Sequence, residues 1–201
     1  MKAETPEASG VCAGTATRAP TRQANQQTER KKTMNTETNN ETHAEIAHPN
    51  ARGTGCAIRF TLHPAHGNVP GCVMCEIAKQ KSAVSVTGTG ETPTFDWDGV
   101  IAIKMCVSDL AQMLMVLRGY QESIADGKGL FHRTATANSI IRFARMIEPC
   151  PGYRLEVSRK PFDGEPSSAS IVFRPDEAYW LSMALEGAMP TLVFGVPAIR
   201  A

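Results

Sequence analysis

Lysine, arginine and aromatic residues are concentrated between Lys128 and Lys160, in a pattern that could bind a nucleic acid. This stretch contains seven Lys or Arg against two acidic residues, although the whole chain of 201 residues has a formal net charge of only +1. Cations neutralise phosphates, and flat side chains stack on unpaired bases, each stacked base contributing about 1–3 kcal/mol. The stretch therefore predicts a surface for single-stranded nucleic acid.

The elements that must position these residues are two strands of a β-hairpin within 138–160. Both arms are rich in β-branched and aromatic residues, and the segment Glu148–Gly152 between them contains two prolines and a glycine, which favour a turn. In the second arm Tyr153, Leu155 and Val157 alternate with polar and charged residues, so one face of the predicted sheet is apolar and the other is open to solvent.

The candidate binding residues are cations and rings on or beside predicted strands. The candidates for phosphate contact are Arg59, Lys79, Lys81, Lys104, Arg133, Arg142, Arg145, Arg154, Arg159 and Lys160. The candidates for base stacking are Phe131, Phe143 and Tyr153. A solvated sheet face and core aromatics explain any single one of these residues at least as well, so the prediction depends on the set. Phe60, Trp97 and Trp180 are assigned to the core or its edge, where large apolar side chains usually lie.

Two histidines and two cysteines form the other cluster with chemical potential. His63, His66, Cys72 and Cys75 are a two-plus-two set of the kind that zinc accepts, and they leave open a zinc-stabilised interaction module. If 72–77 is a strand, however, Cys72 and Cys75 point to opposite faces, so no metal or other cofactor is predicted. No nucleophile elbow, phosphate-binding loop or dinucleotide fingerprint occurs, and the chain is predicted not to be an enzyme.

The rest of the chain divides into a tail and one domain. Residues 1–52 are predicted to be a disordered tail, because the first fifty contain no Phe, Trp or Tyr and cannot bury enough apolar surface. Residues 53–201 are predicted to form the domain. Three strands at 57–63, 72–81 and 100–105 precede a helix that begins near Ser108, and four strands between 130 and 173 precede a helix that begins at Pro175.

The sequence also gives an expectation for the cellular compartment. No apolar run is long enough to span a bilayer, and the N-terminus lacks the apolar core of a signal peptide. Six cysteines without such a signal favour reduced thiols. A cytoplasmic protein that does not contact a membrane is therefore expected.

The order of the elements and several short motifs resemble the Whirly family of single-stranded DNA-binding proteins. The motifs are Phe95-Asp96-Trp97 before a strand, Val107–Leu110 at a helix start, Ile147–Gly152 in the second sheet, and Ala184 followed by Met189–Gly195 at the last helix. The resemblance covers roughly 57–196. The Lys-Gly-Lys motif of the family's second strand, which supports assembly beyond a tetramer in the plant proteins, is absent.

The resemblance implies a fold and a function. The fold would be α+β, with two four-stranded antiparallel sheets, each followed by a helix. The protein would form a homotetramer and bind single-stranded DNA without sequence choice, acting in replication, repair or DNA transfer. Mitochondrial guide-RNA-binding proteins resemble the same fold, which keeps an RNA chaperone as the alternative.

Overall fold

A computed structural model of the chain describes residues 43–83 and 92–196, which form two four-stranded antiparallel sheets, each followed by an α-helix. Sheet 1 has the strands β1 (His43–His48), β2 (Cys56–His63), β3 (Cys72–Lys79) and β4 (Ile101–Met105), followed by helix α1 (Val107–Leu117). Sheet 2 has the strands β5 (Leu130–Arg133), β6 (Ala137–Met146), β7 (Gly152–Pro161) and β8 (Ser167–Phe173), followed by helix α2 (Pro175–Phe194). In both sheets each strand pairs with the next one along the chain. This confirms the predicted fold class.

Strand β1 corrects the predicted boundary of the tail. The sequence patterns predict only three strands before the first helix, and the fourth lies inside the segment predicted to be disordered. It has one buried large side chain, Ile46, which lies opposite Ile58 of β2. Its remaining stabilisation comes from backbone pairing along the whole length of the strand, which composition does not reveal. Residues 1–42 lie outside the described residues, so a disordered tail stays a prediction there.

Helix α1 begins at Val107, one residue before Ser108, near which the sequence predicts its start. The cap is Cys106, whose backbone N–H donates to Oδ2 of Asp109 at 2.8 Å. Asp109 is buried at the third helical position, where a carboxylate also interacts favourably with the positive end of the helix dipole. Nε2 of His132 on β5 lies 3.3 Å from the same oxygen, so the start of α1 is held against sheet 2.

Helix α2 begins in the same way. The backbone N–H of Arg174 donates to Oε2 of the buried Glu177 at 2.8 Å, and Nε2 of His48 on β1 lies 2.9 Å from Oε1. Each helix start is therefore attached to the first strand of the other sheet. Pro190 lies inside α2, and the helix continues to Phe194. Among the described residues no helix is both long and apolar enough to cross a membrane.

The inner faces of both sheets and the apolar sides of both helices share one core. Alternate residues of β3 enter it, among them Cys75, which is 1% exposed. Burial raises the pKa of the Cys75 thiol to about 12, and the adjacent Glu76 carboxylate adds to this rise. The folded protein therefore holds this proton through a pH range in which the unfolded chain releases it.

This difference predicts a loss of stability in alkali that depends on Cys75. The contribution is complete below pH 9.0, the ordinary value of the thiol, and decreases by about 1.4 kcal/mol per pH unit as the pH rises towards 12. At pH 10.5 the wild type is expected to have lost about 2 kcal/mol more than Cys75→Val. Denaturant unfolding of both proteins at pH 7.5 and 10.5 measures this, and equal losses in the two would contradict it.

Candidate nucleic-acid interface

Sheet 2 presents one face to the core and the other to solvent. On β6 and β7 the residues Ile141, Phe143, Leu155 and Val157 are buried, and the alternate residues point outwards. The strand register places the outward residues in four rows across the sheet. These rows are Arg133–Asn138–Lys160, Phe131–Ile140–Ser158–Ser168, Arg142–Glu156–Ser170 and Ala144–Arg154–Val172. Successive rows are about 6.8 Å apart, so the face is roughly 20 Å long.

The rows contain four cations and one carboxylate. Arg133, Arg154 and Lys160 are exposed. Arg142 is the only one of the four with an ion pair among the described residues, at 3.3 Å from Nη1 to Oε1 of Glu156. Both partners of that pair are about two-fifths exposed, and exposed pairs contribute only about 0–1 kcal/mol. A phosphate can therefore replace Glu156 at little cost.

Three cavities lie along this face or at its edge with sheet 1, and neighbouring cavities share a lining residue. One of about 450 Å³ is lined by Phe131, Ile140, Lys160 and Ser168 among others, and a second of about 480 Å³ shares Ser168 with it. A third of about 140 Å³ shares Glu156 with the second. We call this continuous surface the outer groove. The residues of the predicted set whose side chains lie on it or beside it are Lys79, Phe131, Arg133, Arg142, Arg154, Arg159 and Lys160.

Phe131 is the ring that the outer groove offers to a base. Its side chain is 61% exposed, and it lies opposite Ile140 in the strand register. A second ring, Phe162, is also exposed and lies under the guanidinium of Arg133, at 5.9 Å from the ring centroid. Sequence reasoning missed Phe162 because it follows the end of β7 and belongs to no alternating pattern.

The predicted base-stacking role of Phe143 is wrong. The ring is 1% exposed on the inner face, with its centroid 6.2 Å from that of Phe173. Tyr153 also lies on the inner face, stacked on Phe143 at 5.9 Å, and its hydroxyl donates to the carbonyl of Leu117 in α1 at 3.5 Å. Both rings have odd numbers in arms whose odd residues face the core, so neither belongs to the outer groove.

Arg145 and Arg159 make their polar contacts within the protein, although Arg159 also lines the 450 Å³ cavity. Arg159 lies on the inward side of β7, and its Nη1 donates to the backbone carbonyl of Ala102 in sheet 1 at 3.3 Å. Arg145 occupies the same face near the end of β6, with Nη1 3.8 Å from Oε1 of Glu122. A phosphate-binding role therefore stays a prediction for both residues.

The remaining predicted cations belong to sheet 1 or to the chain beyond it. Nε of Arg59 is 2.7 Å from Glu45, and its guanidinium lies over the ring of Trp97 at 3.4 Å, so its charge is already engaged. Lys104 is exposed on the outer face of the same sheet, and Lys81 follows β3. Lys104 is therefore not on the same surface as the cations of sheet 2, and Lys81 lines none of the three cavities.

The four weak zinc candidates do not converge. Cys72 faces His63 across the β2–β3 pair, whereas Cys75 is buried on the opposite face of β3. His66 lies in a turn and pairs with Val69. Over 43–83 and 92–196 no group of three or more His, Cys, Asp or Glu is placed to hold a metal ion. This geometry removes the support for a zinc-stabilised module.

The described fold is Whirly-like. It is similar to the crystal structure of WHY1 from Arabidopsis thaliana, with a TM-score of 0.60 and 13% identity over 76% of this chain and 85% of that one. It is also similar to WHY3 from the same plant, with a TM-score of 0.59 and 14% identity over 77% and 89% of the two chains. Trypanosoma brucei MRP1/MRP2 share it with a TM-score of 0.52 and 18% identity over 80% and 100%. No protein-family model and no curated protein matches the sequence.

Proposed function

We propose that this protein binds single-stranded DNA, with little dependence on sequence, along the outer groove of sheet 2. The observation that carries the proposal is the placement of Arg133, Arg142, Arg154 and Lys160 on the same outward face as the exposed ring of Phe131, with Glu156 as the single acid in the rows. The outer face of sheet 1 has no such excess, since Glu45 and Glu76 accompany Arg59 and Lys104 there.

The mechanism combines phosphate neutralisation with stacking. The cations occupy all but the second of the four rows, so a strand that follows the groove meets a positive charge at most steps. Phe131 fills the second row and offers its ring to a base. Bases of a duplex already stack on one another and cannot offer a free face, which favours an unpaired strand.

The proposal also includes how the protein assembles and where it acts. Large apolar side chains are exposed on the outward sides of both helices, namely Met115 on α1 and Tyr179 and Met183 on α2. We propose that they pack against other copies in a homotetramer, which sedimentation of the wild type and of Met183→Glu would check. Roles in replication, repair or DNA transfer and a cytoplasmic location stay predictions, as does the absence of enzymatic activity.

A fluorescence-anisotropy titration tests the binding function. A labelled single-stranded oligonucleotide is expected to bind at least tenfold more tightly than the corresponding duplex, because only the single strand offers unstacked bases. Competition with an RNA of matched sequence decides between DNA and RNA as the preferred ligand. Equal affinity for the single strand and the duplex would contradict stacking on Phe131, and no binding to either would contradict the function itself.

A further inference from the structure

One polar atom in the outer groove has no hydrogen-bond partner. Oδ1 of Asn138 is buried and unpaired, and it is the one such side-chain atom within the part of the chain that the structure describes. Buried acceptors are nearly always paired in folded proteins, so an unpaired one requires an explanation. Its position provides one, because Asn138 lies on the outward face between Arg133 and Lys160 and lines the 450 Å³ cavity.

The surroundings of Asn138 suit a flat heterocycle. Phe131 and Ile140 give the cavity an aromatic ring and an aliphatic side chain, and Ser158, Ser168 and Lys160 supply hydrogen-bonding groups. Phe131 is largely exposed and can stack on a base. The cavity therefore combines a stacking surface, polar side chains and an unused acceptor.

The unused acceptor selects among the chemical groups of a nucleotide. Phosphate oxygens only accept hydrogen bonds, so a phosphate cannot satisfy Oδ1 of Asn138. An exocyclic amino group can, and an asparagine carboxamide pairs in a bidentate manner with N6 and N7 of adenine. Thymine can donate its N3–H to Oδ1 and accept from the carboxamide N–H at O4, but its other carbonyl oxygen, O2, then lies beside Oδ1 and repels it.

We propose that this cavity, which we call the base subsite, takes a nucleobase with an exocyclic amino group, and adenine in preference to thymine. The subsite rests on the proposed single-strand binding and adds a base preference to it. Oδ1 of Asn138 is covered in the present conformation, so the base reaches it once a neighbouring side chain rotates. Lys160, directly opposite on β7, has the flexible stem that such a movement requires.

The test compares homopolymers of deoxyadenosine and thymidine, of equal length, on wild type and Asn138→Leu. Leucine has nearly the shape of asparagine but lacks the carboxamide. The wild-type preference for adenine over thymine, expressed as a ratio of Kd values, is expected to fall about tenfold in the variant. Stacking within the adenine strand affects both proteins equally and cancels in this comparison.

Two further variants complete the experiment. Arg154→Ala is the matched control, because Arg154 lies three rows away from Asn138, so its loss should weaken binding of both homopolymers and leave their ratio within about twofold of the wild type. If thermal denaturation shows that Asn138→Leu is not folded, Asn138→Ser is used in its place. The same decrease in the preference for adenine over thymine is expected. An unchanged ratio with tight binding of both strands would overturn the base subsite and leave the proposed function intact. If the wild type binds neither strand, both fail.

Discussion

Replacing Arg142, Arg154 and Lys160 together with alanine is expected to weaken single-strand binding roughly 100-fold at low salt and to flatten its salt dependence. The three side chains lie in three different rows of the outer groove, so a strand that follows the groove contacts all of them. Each lost phosphate contact lowers the slope of log K against log salt by about 0.7 for a single strand, so the triple variant should lose about two units. Anisotropy titrations at several salt concentrations measure this.

A control variant removes the same number of positive charges at three positions outside the outer groove. Lys104 lies on sheet 1, Arg118 pairs with Glu186, and Arg145 is on the inward side near Glu122. Their joint replacement with alanine should change the affinity by no more than about threefold, because none lies in the outer groove. If both triple variants lost the same affinity and slope, binding would depend on overall charge and not on this surface.

A single substitution in the same groove should act in the opposite direction. Glu156 is the one acid in the rows and pairs with Arg142. Glu156→Gln removes a repulsion towards phosphate and releases the guanidinium, so single-strand binding should become a few times tighter. An unchanged affinity would show that the strand does not pass the third row.

Replacing Phe143 with alanine is expected to reduce the free energy of unfolding by about 3–5 kcal/mol. The ring is completely enclosed between Tyr153 and Phe173, so the cavity left behind can close only partly. A change of this size is a large part of the stability of a domain of this length, about 5–15 kcal/mol. Denaturant unfolding followed by circular dichroism measures it.

Phe131→Ala is the matched control, because it removes the same ring from the exposed face. It should change the free energy of unfolding by less than about 0.5 kcal/mol. It should weaken single-strand binding by about 1–3 kcal/mol, the contribution of one stacked base. The two phenylalanines are 12 positions apart in neighbouring strands, and only the face to which each points separates the two outcomes. Loss of binding without loss of stability in Phe143→Ala would contradict this assignment.

Much of the fold follows from local patterns. Alternation in β2, β3 and β7 and the apolar stripes of both helices are properties of neighbouring residues, so they can be recognised without tertiary contacts. Strand β1 is different, since it has only one buried large side chain and pairs through its backbone with β2. It forms because β2 offers the backbone of an unpaired strand edge, and the composition of β1 itself cannot reveal such a partner.

Some properties of the candidate site can also be read from the sequence, and others depend on tertiary contacts. The excess of cations between Lys128 and Lys160 is a property of the sequence alone. Whether a cation is available to a ligand is decided by tertiary contacts: Arg154 points to solvent, whereas Arg159 donates to a carbonyl of the other sheet. The two differ only in whether their positions in β7 are even or odd.

The sequence by itself determined two sheet-and-helix units and a positively charged hairpin, because hydrophobic alternation and charge are local quantities. Only the tertiary structure decided which side of that hairpin faces solvent. It also showed that Phe143 belongs to the core and that Asn138 has an unused acceptor in a groove. The physical reason is that the environment of each side chain depends on strand register and on how each sheet packs against the helices and the other sheet. Register and packing bring together residues that are far apart in the chain.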